Sequence, residues 1–239
     1  MCGQFAVLGS LKAIKDYYEF LKNGSFVLDE DDFYRFESDM LLDLPKEKVR
    51  IMTWMPIVFN DSQRIKMMPA RWGLVPYWAK DEKIASKTFN ARQETLTEKP
   101  SFKYAYQKRR CLVPFTGYYE SGVEQFTNHN SQITNNNPIQ RKINATNDTF
   151  DFDNFNDSEA ISTMDRDKLD HYKGGVKKQY FFPNKDNSIK SFAGLYEIWG
   201  QDRLVTFTII TCPAQGEVAK INHRMPVILD EDEAMRWIG

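Results

Sequence analysis

Features that would point to several common protein classes are scarce in this chain of 239 residues. It has three cysteines, Cys2, Cys111 and Cys212, and this odd, widely spaced set fits free thiols in a reducing cytoplasm better than a disulfide framework. No apolar run reaches the roughly eighteen residues of a membrane span. No charged-then-apolar leader opens the chain. We therefore expect neither a membrane association nor a secretory signal, and a cytoplasmic location.

Excess charge is also missing, because 32 basic and 33 acidic side chains give a net charge of −1. This balance argues against a protein that grips long duplex DNA mainly by counterion release, although it leaves room for a local basic groove. Histidine is equally rare, and only His223 lies outside an unusual Asn-rich stretch, so it is the candidate for general acid/base work. Paired metal-ligand spacings such as CxxC or HxxxH are lacking, so we expect no metal and no cofactor.

The sequence does contain enough apolar residues, 41%, for one large domain over residues 1–239. Apolar periodicity and turn signals predict an α+β fold with a mostly antiparallel, curled sheet and short flanking helices. Helices are predicted at 11–22, 100–107, 214–221 and from Asp230, and strands at 49–59, 65–74, 111–119, 191–199, 204–212 and 225–229.

Composition changes abruptly at about residues 122–178. This stretch contains Asn135–Asn137, few aliphatic residues and no clean hydrophobic period. Such composition is typical of a loop or a disordered excursion, so we interpret the stretch as an insertion into the domain.

The second residue has the most distinctive chemistry. Removal of Met1 would leave Cys2 with a thiol and a free α-amine on adjacent carbons. The amine titrates near about 7.7–8.0 and the thiol near about 8.5, so both are partly available as nucleophiles at neutral pH. The amine can form a Schiff base with an aldehyde, and the thiol can then close a thiazolidine ring. The alternative is an ordinary residue at a frayed terminus.

Two further segments combine residues that packing alone rarely brings together. In one of them, Trp72 and Trp78 flank a glycine and a proline, which suits either base stacking or a packed hydrophobic corner. In the other, Asn90 can bind a carbonyl or hydroxyl and Arg92 can pair with phosphate, whereas a surface network of Arg92 with Glu94 is the alternative.

Taken together, these segments resemble the SRAP family, the SOS-response-associated peptidases that act as abasic-site sensors. The resemblance covers nearly the whole chain outside the insertion, and the order of its segments is highly specific. Those segments are Met1–Gly3, Trp72–Lys80, Asn90–Thr95, Arg110–Pro114 with Tyr119–Glu120, Phe192–Tyr196 and Arg224–Leu229.

The resemblance implies a barrel-like, β-rich fold and a covalent bond between Cys2 and the ring-opened sugar of an abasic site in single-stranded DNA. It further implies that Asn90 positions Cys2 or the sugar and that Glu120 transfers protons, with a histidine assisting. Arg92 and Arg224 would hold phosphates, and Trp72 and Trp78 would shape the DNA channel or stack within it. Peptidase activity would be limited to removal of Met1.

Three positions depart from the family pattern. Gln4 stands where most relatives have arginine, which removes a positive charge from the expected DNA channel. Ser121 replaces the tryptophan that usually follows the catalytic glutamate. Asn222 occupies the usual histidine position, and His223 comes one residue later. Either His223 reaches the site through a local backbone shift, or the chain crosslinks with altered kinetics.

Three classes of function follow from these observations. The first is an abasic-site sensor of the DNA damage response with lyase-like crosslinking, expected to be monomeric and nucleoid-associated when bound to DNA. The second is an N-terminal-nucleophile peptidase or amidohydrolase that uses Cys2, Asn90 and His223. The third is a DNA-binding module that has lost its chemistry.

Overall fold

The computed structural model describes residues 3–23, 27–28, 44–62, 64–123, 177–185 and 188–239. Thirteen strands and four α-helices lie in these ranges. The strands are β1 (Gln4–Val7), β2 (Val27–Leu28), β3 (Lys46–Arg50), β4 (Trp54–Asp61), β5 (Arg64–Trp72), β6 (Asn90–Arg92), β7 (Arg110–Phe115), β8 (Gly117–Val123), β9 (Lys177–Pro183), β10 (Lys190–Trp199), β11 (Leu204–Pro213), β12 (Arg224–Pro226) and β13 (Ile228–Leu229). The helices are α1 (Leu11–Tyr17), α2 (Pro100–Lys108), α3 (Gly216–Ala219) and α4 (Glu231–Ile238).

Five of the strands close into a ring. The order β5-β4-β7-β10-β11 is antiparallel throughout, and a parallel pairing of β11 with β5 joins the two ends. Closure removes the unpaired edges that an open sheet would present. The expected α+β class with a mostly antiparallel, curled sheet is therefore confirmed.

A second sheet has the order β3-β1-β8-β9, so the amino-terminal strand has a neighbour on each side. Phe5 anchors β1, because its fully buried ring lies 5.1 Å from the ring of Trp72 and 5.7 Å from that of Phe192. Complete burial of a side chain of this size contributes about 2–3 kcal/mol to stability. The core thus fixes the position of the residues that follow Cys2.

Three predicted strands are each divided in the structure. The stretch 225–229 forms β12 and β13, which pair with different strands. The stretch 49–59 is interrupted by a turn after β3, where Met52 has a φ of +69°. The stretch 111–119 is split at Thr116, so that β7 belongs to the ring and β8 to the second sheet. The turn at Met52 carries none of the Gly, Pro, Asn or Asp that mark most turns, whereas Gly117 directly follows the break at Thr116.

The helices lie at the predicted places with small changes in length. Asp230 caps α4 by accepting a hydrogen bond from the Glu233 backbone N–H, and the Glu233 side chain accepts one from the backbone of Asp230. A 3-10 turn, Tyr18–Asn23, continues α1. Within the described ranges, no helix is long and apolar enough to span a membrane. Most of the predicted insertion, residues 124–176, lies outside the described residues.

Candidate functional site

The centre of the candidate site is a buried carboxyl. Glu120 lies in β8 with 1% of its surface exposed, and the Asn222 side-chain amide donates a hydrogen bond of 2.7 Å to its Oε2. Burial raises the pKa of the Glu120 carboxyl, and the hydrogen bond from Asn222 acts in the opposite direction. A carboxyl in this setting can hold a proton closer to neutral pH than an exposed one can.

The orientation of Asn222 is fixed at both ends of its amide. While Nδ2 donates to Glu120, Oδ1 accepts a hydrogen bond of 3.3 Å from the backbone N–H of Arg224. Ile221, the residue before Asn222, packs against Gly122 of β8. A Cβ atom added to Gly122 would lie 2.8 Å from the carbonyl oxygen of Ile221. Only a glycine therefore allows this loop to approach the strand that carries Glu120.

Arg224 extends the hydrogen-bonded chain to the segment after β6. Its two terminal nitrogens donate to the two carboxylate oxygens of Glu94 over 2.6 and 3.0 Å, and one of them also donates to the carbonyl oxygen of Thr211. The hydrogen bond from Arg224 lowers the pKa of the Glu94 carboxyl. Glu120, Asn222, Arg224 and Glu94 thus form one continuous network, which we call the carboxyl–amide network.

This geometry changes the role expected for Arg224. Its side chain is buried and its guanidinium is occupied by a bidentate ion pair, so it holds the loop in place and is not directed at a phosphate. Sequence reasoning did not find the pairing with Glu94. The two residues are 130 positions apart, and only the opposite charges hinted at it.

The amino-terminal strand lies next to Glu120. In the β1–β8 ladder Ala6 pairs with Gly117, Phe5 with Tyr118 and Gln4 with Tyr119, so the next step toward the chain start leads to Glu120. Cys2 itself lies outside the described residues. One residue, Gly3, separates it from Gln4, so the two chain steps reach about 7 Å at most.

Gln4 pairs with a residue of each strand that flanks β1. It pairs with Arg50 of β3 and with Tyr119 of β8, and its side-chain oxygen accepts a hydrogen bond of 2.9 Å from Gln179. Cross-strand partners point to the same face of a sheet. Arg50, which is exposed, therefore supplies a positive charge beside the position where Gln4 lacks one.

Asn90 and Arg92 lie on β6, on a different strand from Glu120. β6 runs parallel to β11, with Asn90 opposite Ile209 and Arg92 opposite Thr211. The preceding residue, Phe89, is fixed by hydrogen bonds from the indole N–H of Trp72 and the backbone N–H of Ile209. Asn90 is half-buried and Arg92 is exposed, so Arg92 is accessible to a phosphate.

The two tryptophans have different environments. Trp72 is completely buried, with its ring stacked against Phe207 at 6.3 Å, so the ring has no exposed face on which a base could stack and it packs in the core. Trp78 is 46% exposed and donates from its indole N–H to the Pro100 carbonyl. Only Trp78 of the pair is available to contact DNA.

His223 does not reach the carboxyl. Its side chain is exposed, while its carbonyl oxygen accepts a hydrogen bond from Ala214. Because adjacent residues direct their side chains differently here, Asn222 contacts Glu120 and His223 does not. The proton-transfer role expected for His223 therefore does not fit this geometry.

The two described cysteines are poor nucleophiles. Cys111 is fully buried, and burial raises its pKa well above the usual value. Burial also raises the pKa of Cys212, against a smaller opposing effect of Arg224. A thiol reacts as the thiolate, so both are held in the less reactive form. No group of three or more metal-ligating side chains occurs in the part of the chain that the structure describes.

These features define a class of protein: a closed-ring α+β domain with a buried carboxyl of raised pKa beside its amino-terminal strand. The chain belongs to the SOS response associated peptidase (SRAP) family, whose sequence model matches residues 1–145 and 170–239. The unmatched residues 146–169 fall inside the predicted insertion.

Curated relatives carry a common description. The chain is 31% identical over 185 residues to the abasic site processing protein YoaM of Bacillus subtilis, which covers 76% of this chain and 60% of YoaM. It is 31% identical over 187 residues to the abasic site processing protein HMCES of Rattus norvegicus, covering 75% of this chain and 46% of HMCES. The matches thus span about three-fifths of YoaM and less than half of HMCES.

Solved structures share the fold. A crystal structure of a protein from Bacteroides thetaiotaomicron superposes with a TM-score of 0.63 at 24% identity, over 100% of this chain and 81% of that one. A phage-related protein from Bordetella bronchiseptica gives a TM-score of 0.57 at 20% identity, over 99% and 81% respectively. At these identities the likeness concerns the fold alone.

Proposed function

We propose that this chain recognises abasic sites in single-stranded DNA and captures them through Cys2 after removal of Met1. The product is a covalent thiazolidine that shields the lesion during the response to DNA damage. The family membership and the shared description of YoaM and HMCES as abasic site processing proteins support this proposal. Any peptidase activity is confined to removal of Met1.

The proposed reaction begins with the opening of the deoxyribose ring. The C1′–O4′ bond breaks, the C1′ hydroxyl loses its proton to form an aldehyde, and O4′ gains a proton. The Cys2 amine then adds to C1′, and loss of water gives an imine. The thiol sulfur attacks C1′ and its proton passes to nitrogen. The sum is one aldehyde plus one aminothiol giving one thiazolidine and one water.

The observation that carries the proposal is the position of Glu120. Glu120 is the residue of β8 directly after Tyr119, which pairs with Gln4, so it lies toward the start of the chain. The Asn222 amide donates a hydrogen bond to its carboxyl. Each step of the reaction moves a proton over a short distance. A carboxyl whose burial raises its pKa can both donate and accept protons in this sequence.

Asn222 orients this carboxyl but does not share its protons. An amide has no titration near neutral pH, so the acid/base work in this pair falls to Glu120 and not to Asn222. Capture therefore depends on pH through Glu120 and through the Cys2 nucleophiles. Arg92, Trp78 and the Arg50 side chain beside Gln4 would contact the DNA.

A denaturing-gel assay tests the proposal. Met-processed protein is mixed with single-stranded DNA that carries one abasic site, beside the variants Cys2→Ala and Cys212→Ala. We expect a shifted band for the wild type and for Cys212→Ala, and none for Cys2→Ala. A sample with its amino terminus acetylated should also give no band, because the Schiff base needs a free amine.

The same gel separates the other functional classes. A band that persists in Cys2→Ala would contradict the assignment of the nucleophile. If the wild type binds the DNA but forms no band, the chain is a binding module without the chemistry. Hydrolysis of a peptide substrate by the acetylated protein would instead indicate a thiol peptidase, since that mechanism tolerates a blocked amine.

A further inference from the structure

Two exposed tyrosines form a paired aromatic surface outside the carboxyl–amide network. Tyr77 follows β5 and Tyr104 lies on α2, and their ring centroids are 5.3 Å apart at an interplanar angle of 61°. Tyr77 is 60% exposed and Tyr104 is 43% exposed. They are among the few large apolar side chains that are exposed in the described ranges, and we call them the tyrosine platform.

The backbone that carries Tyr77 is held at several points. The Ala79 N–H donates to the Pro76 carbonyl over 2.9 Å, and the Trp199 indole donates to the Ala79 carbonyl over 2.8 Å. The Trp78 indole donates to the Pro100 carbonyl at the start of α2. A ring that is exposed yet fixed loses little conformational entropy when a ligand stacks on it.

A buried ion pair lies beneath the platform. The Glu197 carboxylate, 1% exposed, is 2.9 Å from a terminal nitrogen of Arg109, and the backbone of Tyr77 acts to lower the pKa of the same carboxyl. The Arg109 guanidinium also lies over the ring of Tyr104, 5.2 Å from its centroid. The ion pair therefore supports the position of the Tyr104 ring.

The segment that carries Tyr104 is basic. Residues 99–110 contain five basic side chains and no acidic one. Of these, Lys99, Lys103 and Lys108 are exposed along α2. Fixed aromatic rings beside lysines are the combination that holds a single strand of nucleic acid, where bases stack on rings and phosphates meet the cations. An acidic peptide would satisfy the lysines but leave the tyrosine rings unused.

We propose that the tyrosine platform is a stacking subsite for an unpaired base of single-stranded DNA, separate from the residue that reacts. The choice of DNA rests on the proposed function, whereas the stacking itself requires no lesion. The platform engages a nucleotide flanking the captured site. It contributes reversible affinity and takes no part in bond formation.

The test measures fluorescence anisotropy of a labelled oligothymidylate without any abasic site. Tyr104→Leu and Tyr77→Leu keep an apolar side chain but lose the ring, while Tyr104→Phe keeps the ring. We expect the leucine variants to bind about 5- to 100-fold more weakly and Tyr104→Phe to bind within about 2-fold of wild type. Leu8→Ala, which changes an equally exposed residue at the far end of β1, is the matched control and should bind like wild type.

A crosslinking assay with abasic DNA at saturating concentration is run on the same samples. Wild-type affinity in both leucine variants, or equal loss in Tyr104→Phe and Tyr104→Leu, would overturn the platform. Loss of affinity in the leucine variants supports it, even if the wild type forms no crosslink. In that last case the proposed covalent capture fails while the stacking subsite stands, so the two proposals fail separately.

Discussion

Glu120 and Glu197 are two carboxyls with the same burial and different partners. Each is 1% exposed, and in each burial raises the pKa. Glu120 accepts a hydrogen bond from the neutral amide of Asn222, and the charge of the amino terminus also lowers its pKa, whereas Glu197 faces the guanidinium of Arg109 at 2.9 Å.

The difference between these partners distinguishes a carboxyl suited to proton transfer from one suited to a structural ion pair. The guanidinium of Arg109 keeps its charge at every accessible pH, whereas the Asn222 amide is neutral and an amino terminus titrates near about 7.7–8.0. Glu197 is therefore suited to hold a structure together, and Glu120 is suited to exchange a proton. Burial of a carboxyl alone does not identify a functional group, and the charge of its partner is the better indicator.

The largest effect is expected from Glu120→Gln on the rate of crosslinking. The glutamine keeps the shape and the hydrogen-bonding position but cannot transfer a proton, so the single-turnover rate should fall about 10²- to 10⁴-fold. The rate is measured on denaturing gels at saturating abasic DNA. Glu197→Gln is the matched control and should stay within about 3-fold of wild type, and an equal loss in both variants would remove the distinction between the two carboxyls.

The free energy of unfolding should show the opposite order, with a larger loss for Glu197→Gln than for Glu120→Gln. Glu197→Gln removes the partner of a largely buried Arg109, and we expect the free energy of unfolding to fall by about 2–3 kcal/mol, somewhat less than for a fully buried pair. Urea denaturation monitored by tryptophan fluorescence measures this change. A smaller loss for Glu197→Gln than for Glu120→Gln would contradict the assignment of Glu197 as the structural carboxyl.

The pH dependence of stability sharpens the comparison further. A carboxyl whose pKa is raised on folding contributes stability that is present below its unfolded pKa, about 4.3, and is lost as the pH rises through the folded value. Glu120→Gln should therefore be more stable than wild type at pH 7, by about 1.4 kcal/mol for each unit of raised pKa. Unfolding curves at several pH values should show this advantage shrinking as the pH falls through the folded pKa and absent below about pH 4.

The smallest effect is expected from Asn222→His, which places a titrating partner beside Glu120. An imidazole at this position should add a limb near about pH 6.5 to the pH–rate profile of crosslinking and change the rate by about 10-fold or less. His223→Ala is the control, because the exposed ring does not contact Glu120, and it should leave the profile unchanged. A new limb that instead disappears in His223→Ala would show that the neighbouring histidine does act in the reaction.

Much of the fold could be predicted because its strands carry clear patterns. The β10–β11 hairpin was predicted almost to the residue, since two apolar runs flank a Gly-Gln-Asp turn. The turn at Met52 was missed because a left-handed methionine gives no signal in an apolar sequence. The separation of β7 from β8 was missed because a change of sheet at Thr116 depends on tertiary packing.

The candidate site was predictable in its residue types more than in its contacts. The resemblance of the segments to a known family identified Glu120 and drew attention to Asn222. The bidentate pairing of Arg224 with Glu94 and the burial of Trp72 came only from the structure. Such long-range pairings depend on which strands become neighbours, and no local sequence pattern encodes that.

The central position of β1 in its sheet has a mechanical consequence. In the proposed adduct, the DNA strand is bonded to Cys2, directly before Gly3. A force on the DNA is therefore also a force on β1. The load then passes into hydrogen bonds with β3 on one side and β8 on the other, and into the buried ring of Phe5. Extracting β1 would require breaking both ladders together, so in the proposed adduct the DNA is tethered to the folded core of the domain and not to a frayed terminus.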